Sequence, residues 1–284
     1  PNADVAQVRE QVTQIAAEYL DAARSLLRPL EVIANLAPLL ARRLNVPGSP
    51  PLIRTTLDAS LQRRLEDLLL GWRARLPEHT SAAILVVEHE SMAVRAYLGS
   101  VDIADKRRFG HVDMVRALRS PGSTLKPFLY GLSLDAGLIH SESLLQDVPR
   151  RYGDYRPGNF AAGFIGPVSA SEALATSLNL PAVQLLEAYG PKRFAGELRN
   201  AGVPLILPAG GTPNLALILG GAGSRLEELV GGYSAFARSA LKERQQTQLP
   251  PYQFMAMFRA EGLDSAICQL WLSELQQICA GQMQ

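Results

Sequence analysis

Apolar residues recurring every three to four positions place Leu57, Leu61, Leu65, Leu68, Leu69 and Trp72 on one helical stripe. Asp58 stands near its start, where a carboxylate complements the helix dipole. The period then changes. Ala82 to Val87 is a continuous apolar run of strand length, Val94 to Leu98 is a second, and the intervening His89 to Met92 predicts a hairpin turn. Helical spacing returns over Leu125 to Leu134, Ser171 to Leu178, Pro181 to Ala188 and Leu226 to Arg238. Two of these starts carry capping-box spacing, Ser169 with Glu172 and Ser224 with Glu227.

Upstream, Val5, Val8, Val12, Ile15 and Ala16, then the series from Leu26 to Ala34, predict helical pieces within the first 46 residues, interrupted by Pro29 and Pro38. Val46 to Pro51 (VPGSPP) reads as a linker. At the other end the composition shifts. Residues 239 to 284 hold nine glutamines against six in the preceding 238, together with three of the five methionines and both cysteines. Three parts follow: a helical segment and linker over 1–50, a main domain over 51–238, and a divergent glutamine-rich tail over 239–284. No internal repeat is present.

Composition narrows the function. With 47% hydrophobic and 19% charged residues, the 284-residue chain can bury a core and is not disordered by composition. Twenty-eight basic against 27 acidic side chains argue against nucleic acid as a partner, which calls for a basic excess or stripe. Cys268 and Cys279 are too few for a disulfide framework and unlike any zinc spacing, and the histidines at 79, 89, 111 and 140 lack ligand spacing. No metal and no cofactor is therefore expected. No run approaches 18 apolar residues, no secretory leader is present, and the opening Pro1 suggests a fragment or processed piece.

The chemistry-bearing run is Ser120-Pro-Gly-Ser123-Thr-Leu-Lys126-Pro-Phe128. Ser-x-x-Lys alone is weak, and Ser239-Ala-Leu-Lys242 matches it too. Context separates the two. At Ser123 a Pro-Gly turn delivers the hydroxyl to a helix N-terminus, and Leu125, Phe128, Leu129 and Leu132 form the stripe behind it. A helix N-terminus favours a developing oxyanion. Residues three apart are neighbours, so Lys126 can reach Ser123, and burial would lower its pKa until a neutral amine takes the serine proton. The plain alternative is a helix start with an exposed lysine. Ser177-Leu-Asn179, the one Ser-x-Asn in the chain, stands at a helix-to-helix junction, where a hydroxyl and an amide could relay a proton and anchor a lysine or a substrate amide. Gly220 to Ser224 before a helix lacks the Lys-Ser/Thr of a phosphate loop and reads as a glycine turn with a serine cap.

These segments together resemble the transpeptidase domain of class A penicillin-binding proteins. The likeness extends over Thr55 to Gln62, the hairpin Ala83 to Gly99, SPGSTLKPFLY at 120 to 130, YRPGNF at 155 to 160, GPVSASEALATSLNLPAV at 166 to 183, and LILGGAGSRLEELVGGYSAFAR at 217 to 238. The resemblance implies an α+β fold of β-lactamase/transpeptidase type, with helices around an antiparallel sheet. It implies Ser123 as acylated nucleophile, Lys126 as its base, Ser177 as proton relay and Asn179 as holder of the lysine and the substrate backbone. The implied partners are peptidoglycan stem peptides ending in D-Ala-D-Ala, β-lactams as covalent inhibitors, and cell-wall synthesis proteins. The implied place is the periplasmic face of the bacterial inner membrane.

The chain departs from the family pattern at its third motif, Lys-Thr-Gly. Of the four lysines, 106, 126, 192 and 242, none is followed by Thr-Gly or Ser-Gly. The expectation is a partial transpeptidase domain over 51–238, truncated or frame-shifted beyond Arg238, with an incomplete sheet, an open strand edge and impaired turnover. Residues 1 to 50 contain nothing like the acidic motif of the glycosyltransferase module that accompanies this family. Two alternatives remain: a β-lactamase or carboxypeptidase relative sharing the Ser-x-x-Lys logic, and a non-catalytic module that binds a cell-wall partner.

Overall fold

A computed structural model of the chain describes residues 36–153, 155–159 and 163–247. Most of the N-terminal helical pieces expected over 1–46, most of the glutamine-rich tail with its cysteines, and Phe160 of the YRPGNF segment lie outside the described residues. The chain divides into two compact units between Val115 and Arg116.

In the first unit, α1 (Pro38–Leu44) begins on proline, whose missing N–H costs least there. Helix α2 (Ala59–Trp72) follows the predicted stripe, and the Asp58 carboxylate accepts from the Ser60 and Leu61 amides at 2.9 Å. Strands β1 (Ile84–Val87) and β2 (Val94–Leu98) form the predicted antiparallel hairpin, Ile84 opposite Leu98, with a bulge between Val86 and Val87. Leu61, Leu65, Leu69 and Trp72 pack on Ile84, Ala96 and Leu98.

One of the hairpin's two edges, that of β2, is covered, while β1 has no strand on its other side among the described residues. The fully buried Gln62 donates to the Tyr97 carbonyl at 3.0 Å and accepts from the Tyr97 amide at 2.7 Å. Asp58 N donates to Arg95 O at 2.9 Å, and Thr56 Oγ1 donates to Val94 O at 2.8 Å. Thus residues 56–62 satisfy the outward-facing backbone of β2 that a neighbouring strand would otherwise take.

The second unit carries the site. A 3-10 turn (Gly122–Leu125) runs into α3 (Lys126–Asp135). Strand β3 (Leu144–Asp147) pairs antiparallel with β4 (Gly166–Ser169), which leads into α4 (Ala170–Ala175). Then come α5 (Asn179–Tyr189), α6 (Pro191–Asn200), a 3-10 turn (Leu215–Leu219) and α7 (Leu226–Thr247). Helix α5 is apolar on nearly every face, and its buried residues show it to be the centre of the unit. Leu125 and Leu129, which follow Ser123, join Val183, Leu186, Phe194 and Leu217 in one core. This is an α+β fold whose antiparallel sheets, among the described residues, have two strands each.

Three details differ from the sequence expectation. The Ser169 hydroxyl caps α4 through the Glu172 amide at 3.2 Å as expected, but Ser224 does not cap α7. That helix starts one residue later. Glu228 reaches back to the Arg225 amide at 2.9 Å, while the Ser224 hydroxyl is buried without a partner. Helix α7 also runs past Arg238 to Thr247, so the compositional shift at 239 is not a helix end. Gly220, at φ 96°, closes against the turn at Ser120 to Gly122: a Cβ there would lie 2.1 Å from Ser120 Oγ and 3.1 Å from Gly122. Its freedom serves close approach of backbone to backbone, beyond a mere turn. No helix of the described residues is long and apolar enough to cross a membrane.

Candidate active site

The Pro121-Gly122 turn places Ser123 in the 3-10 turn before α3, where its side chain is exposed. The turn is braced from two sides. Thr124 Oγ1 donates to Pro121 O at 2.6 Å, and the Tyr233 hydroxyl of α7 donates to Thr124 O at 2.7 Å. Three residues on, at the first position of α3, Lys126 is 1% exposed, which is exceptional for a lysine. Its Nζ donates to Ser177 O at 2.6 Å, to Asn179 Oδ1 at 2.8 Å and to Ser177 Oγ at 3.1 Å. It has no carboxylate partner among the described residues. Loss of solvent around the ammonium, uncompensated by an anion, pushes its pKa from the ordinary 10.5 down to about 8. The competing match is different: Ser239 and Lys242 are both exposed on α7.

The Ser177-Leu178-Asn179 segment joins α4 to α5. The Leu178 amide donates to Ala173 O at 2.9 Å and the Ser177 amide to Leu174 O at 3.0 Å, the paired bonds of a Schellman ending. Ser177 therefore occupies the left-handed position, φ 56°, that glycine normally fills. A serine pays strain there, and in return its carbonyl and hydroxyl both face Lys126. Replacing Ser177 with glycine is expected to stabilise the fold by about 1 kcal/mol, read as a melting temperature raised by roughly 2–4 °C. An unchanged or lower value would show that the hydroxyl's contact outweighs the backbone strain.

Ser123, Lys126, Ser177 and Asn179 are thus borne by segments of the same unit. Lys126 touches Ser177 and Asn179; it makes no hydrogen bond to the Ser123 hydroxyl, although three-residue spacing makes that contact reachable. Sequence reasoning did not single out Tyr233 or Asn159 as site residues. The Asn159 side-chain oxygen accepts from the Asn179 amide at 3.1 Å, and Asn179 Nδ2 donates to Gly158 O at 2.7 Å. The one signal for Asn159 was its place in the YRPGNF segment; for Tyr233 it was the stretch 217 to 238.

Residues 82–204 match the family described as the penicillin binding protein transpeptidase domain, and they belong to it. The chain is 64% identical over 204 residues to penicillin-binding protein 1C of Escherichia coli (strain K12), an overlap covering 72% of this chain and 26% of that protein. It is 30% identical over 190 residues to penicillin-binding protein 1F of Bacillus subtilis (strain 168), covering 65% and 25%. It thus spans about a quarter of the length of these curated relatives. Among solved structures, the fold is similar to that of the penicillin-binding protein PonA1 from Mycobacterium tuberculosis, with TM-score 0.60 at 23% identity, covering 73% of this chain and 56% of that one. The same protein in complex with penicillin V gives TM-score 0.59, covering 76% and 58%.

Proposed function

We propose that this chain carries the acylation site of a serine-type D,D-transpeptidase of peptidoglycan cross-linking, within a transpeptidase domain over 51–238. The observation that carries this is the fully buried Lys126, held by three oxygen contacts without a carboxylate, one helical turn from an exposed serine.

The hydrogen-bond inventory orders the protons. A neutral amine has two N–H donors and one lone pair. Ser177 O and Asn179 Oδ1 can only accept, so they occupy both donors, and the lone pair is left for a hydroxyl. In the acylation step, Ser123 Oγ attacks the carbonyl carbon of the penultimate D-Ala while its proton passes to Lys126. The C–N bond to the terminal D-Ala breaks, and Ser177 hands a proton onward to the departing amine. The resulting ester is attacked by an amine of a neighbouring strand, which releases Ser123 and restores its proton. With a β-lactam, the ring C–N bond breaks instead, the amine stays tethered, and the serine remains acylated. Asn179 holds the lysine and the substrate backbone.

Family resemblance supports the periplasmic face of the inner membrane, stem peptides and cell-wall synthesis proteins as the setting and partners, with the glycosyltransferase activity residing in the parent family's other module. These 284 residues contain no Lys-Thr-Gly, the motif that would anchor the substrate carboxylate and place an oxyanion donor. Loss of one such donor costs roughly 100- to 1000-fold, so acylation is slow and full turnover impaired. The alternative reading is a non-catalytic module binding a cell-wall partner.

Incubation of the chain with a fluorescent penicillin, followed by peptide mapping, decides between them. The expected result is a covalent adduct on Ser123. An adduct on another serine, Ser239 included, or no adduct on a chain folded by circular dichroism, would overturn the acylation site and leave the binding module.

A further inference from the structure

Asp147 is fully buried at the end of β3, in the strand position facing the core, and the acylation chemistry does not use it. Its Oδ1 accepts from Asn159 Nδ2 at 2.7 Å and its Oδ2 from the Ile165 amide at 3.0 Å. Asn159 Nδ2 also donates to Gly163 O at 3.2 Å. Both amide hydrogens of Asn159 are thereby committed, which fixes the direction of its oxygen. That oxygen accepts from the Asn179 amide, the first N–H of α5.

This amide is one of the four that a helix start leaves unpaired. The local residue cannot serve it, because the N-cap position is Leu178, which makes no side-chain cap. A side chain 20 residues away does so instead. The neighbouring Gly158 carbonyl accepts from Asn179 Nδ2, and this settles the orientation of the Asn179 amide group. With Nδ2 facing Gly158, Oδ1 must face Lys126. The opposite rotamer would set two N–H donors against the lysine's own hydrogens.

We infer that Asn159, clamped by the buried carboxylate of Asp147, is the positioning residue for Asn179: its side chain fixes the start of α5, and its clamp holds the adjoining Gly158 carbonyl against Asn179 Nδ2, which sets the side of Asn179 presented to Lys126. This rests on the assignment of Lys126 as the base for Ser123. Asn159 touches no reacting atom, and its effect reaches the serine through Asn179 alone.

A double-mutant cycle tests it, using the full chain and a fluorescent penicillin as probe. Asn159→Ala is expected to lower the labelling rate constant about 10- to 100-fold, the scale of a misplaced catalytic contact. In the Asn179→Ala background the same change is expected to cost nothing further, because the residue it positions is gone. Full multiplication of the two losses, or labelling of Asn159→Ala at the parent rate, would overturn the inference. Should Asn159→Ala not fold, Asn159→Asp keeps the acceptor for the Asn179 amide and loses the donors to Asp147 and Gly163, and the same cycle decides. A parent chain that takes up no label marks failure of the Ser123 assignment instead. The positioning role is then read from amide hydrogen exchange. Faster exchange over residues 176–180 in the variant, with α6 unchanged, supports it; unchanged exchange at Asn179 overturns it.

Discussion

Replacing Lys126 with methionine is expected to abolish β-lactam acylation while raising the melting temperature at neutral pH. The first half follows from chemistry. A serine hydroxyl is a poor nucleophile without a base, and loss of a positioned base costs about 10²- to 10⁴-fold. The second half follows from burial. Lys126 is 1% exposed and has only neutral oxygens around its amine, so the folded state holds a group that prefers water. Methionine has a similar length and needs no solvation, and the acceptors it leaves belong to Ser177, which is exposed, and Asn179, which is half-buried, so water can serve them. The pH dependence has a definite sign. The folded pKa is about 8 against an ordinary 10.5, so between those values the unfolded chain binds more protons. Stability of the parent therefore rises with pH across this window. The advantage of Lys126→Met is largest below pH 8 and fades toward pH 10.5. Thermal unfolding of both chains at pH 7 and pH 10 measures it. A variant that melts lower than the parent at pH 7 would show that the lysine's hydrogen bonds exceed its burial penalty.

Such a destabilising lysine is a case where local rules fail because a site overrides them. It was legible in the sequence only because SPGSTLKPFLY put an apolar stripe behind the Ser-x-x-Lys; the pattern at Ser239 had no such stripe, and its lysine is exposed. The hairpin, α2, α3 and α5 were legible for a similar reason, since long apolar stretches with one period leave little choice of conformation. Strands β3 and β4 were not. Each has four residues, and the inward positions of β3 are Leu145 and Asp147, so a buried carboxylate stands where the pattern calls for an apolar residue. Helix α6 carries only Phe194, Ala195 and Leu198 inward, too few to announce a period. The covering of the β2 edge was hidden because Gln62 reads as a polar surface residue until its two bonds to Tyr97 are seen. The link from Asn159 to Asn179 joins residues whose contact depends on the course of the chain between them, which no local pattern encodes.

The rate of β-lactam labelling is expected to rise with pH through a midpoint near 8 and to level off above about pH 9. Only the neutral amine of Lys126 can accept the Ser123 proton, so the rate follows the neutral fraction. With a pKa of about 8, that fraction is about 1% at pH 6 and about 90% at pH 9, so the rate constant climbs about 90-fold between them. The direction distinguishes the candidate bases. A histidine would give a midpoint near 6.5 and a flat profile by pH 8. A solvated lysine would keep the rate climbing about sevenfold between pH 9 and pH 10. The downward shift has one cause, the removal of water from the amine without a compensating anion. Supplying an anion should therefore undo it. Asn179→Asp places a carboxylate where Oδ1 now accepts from Nζ at 2.8 Å, and a paired negative charge favours the ammonium. The midpoint is expected to move up by one unit or more, with labelling at pH 7 falling about tenfold further than any loss at pH 10. A midpoint unchanged in Asn179→Asp would mean that the titrating group is not Lys126.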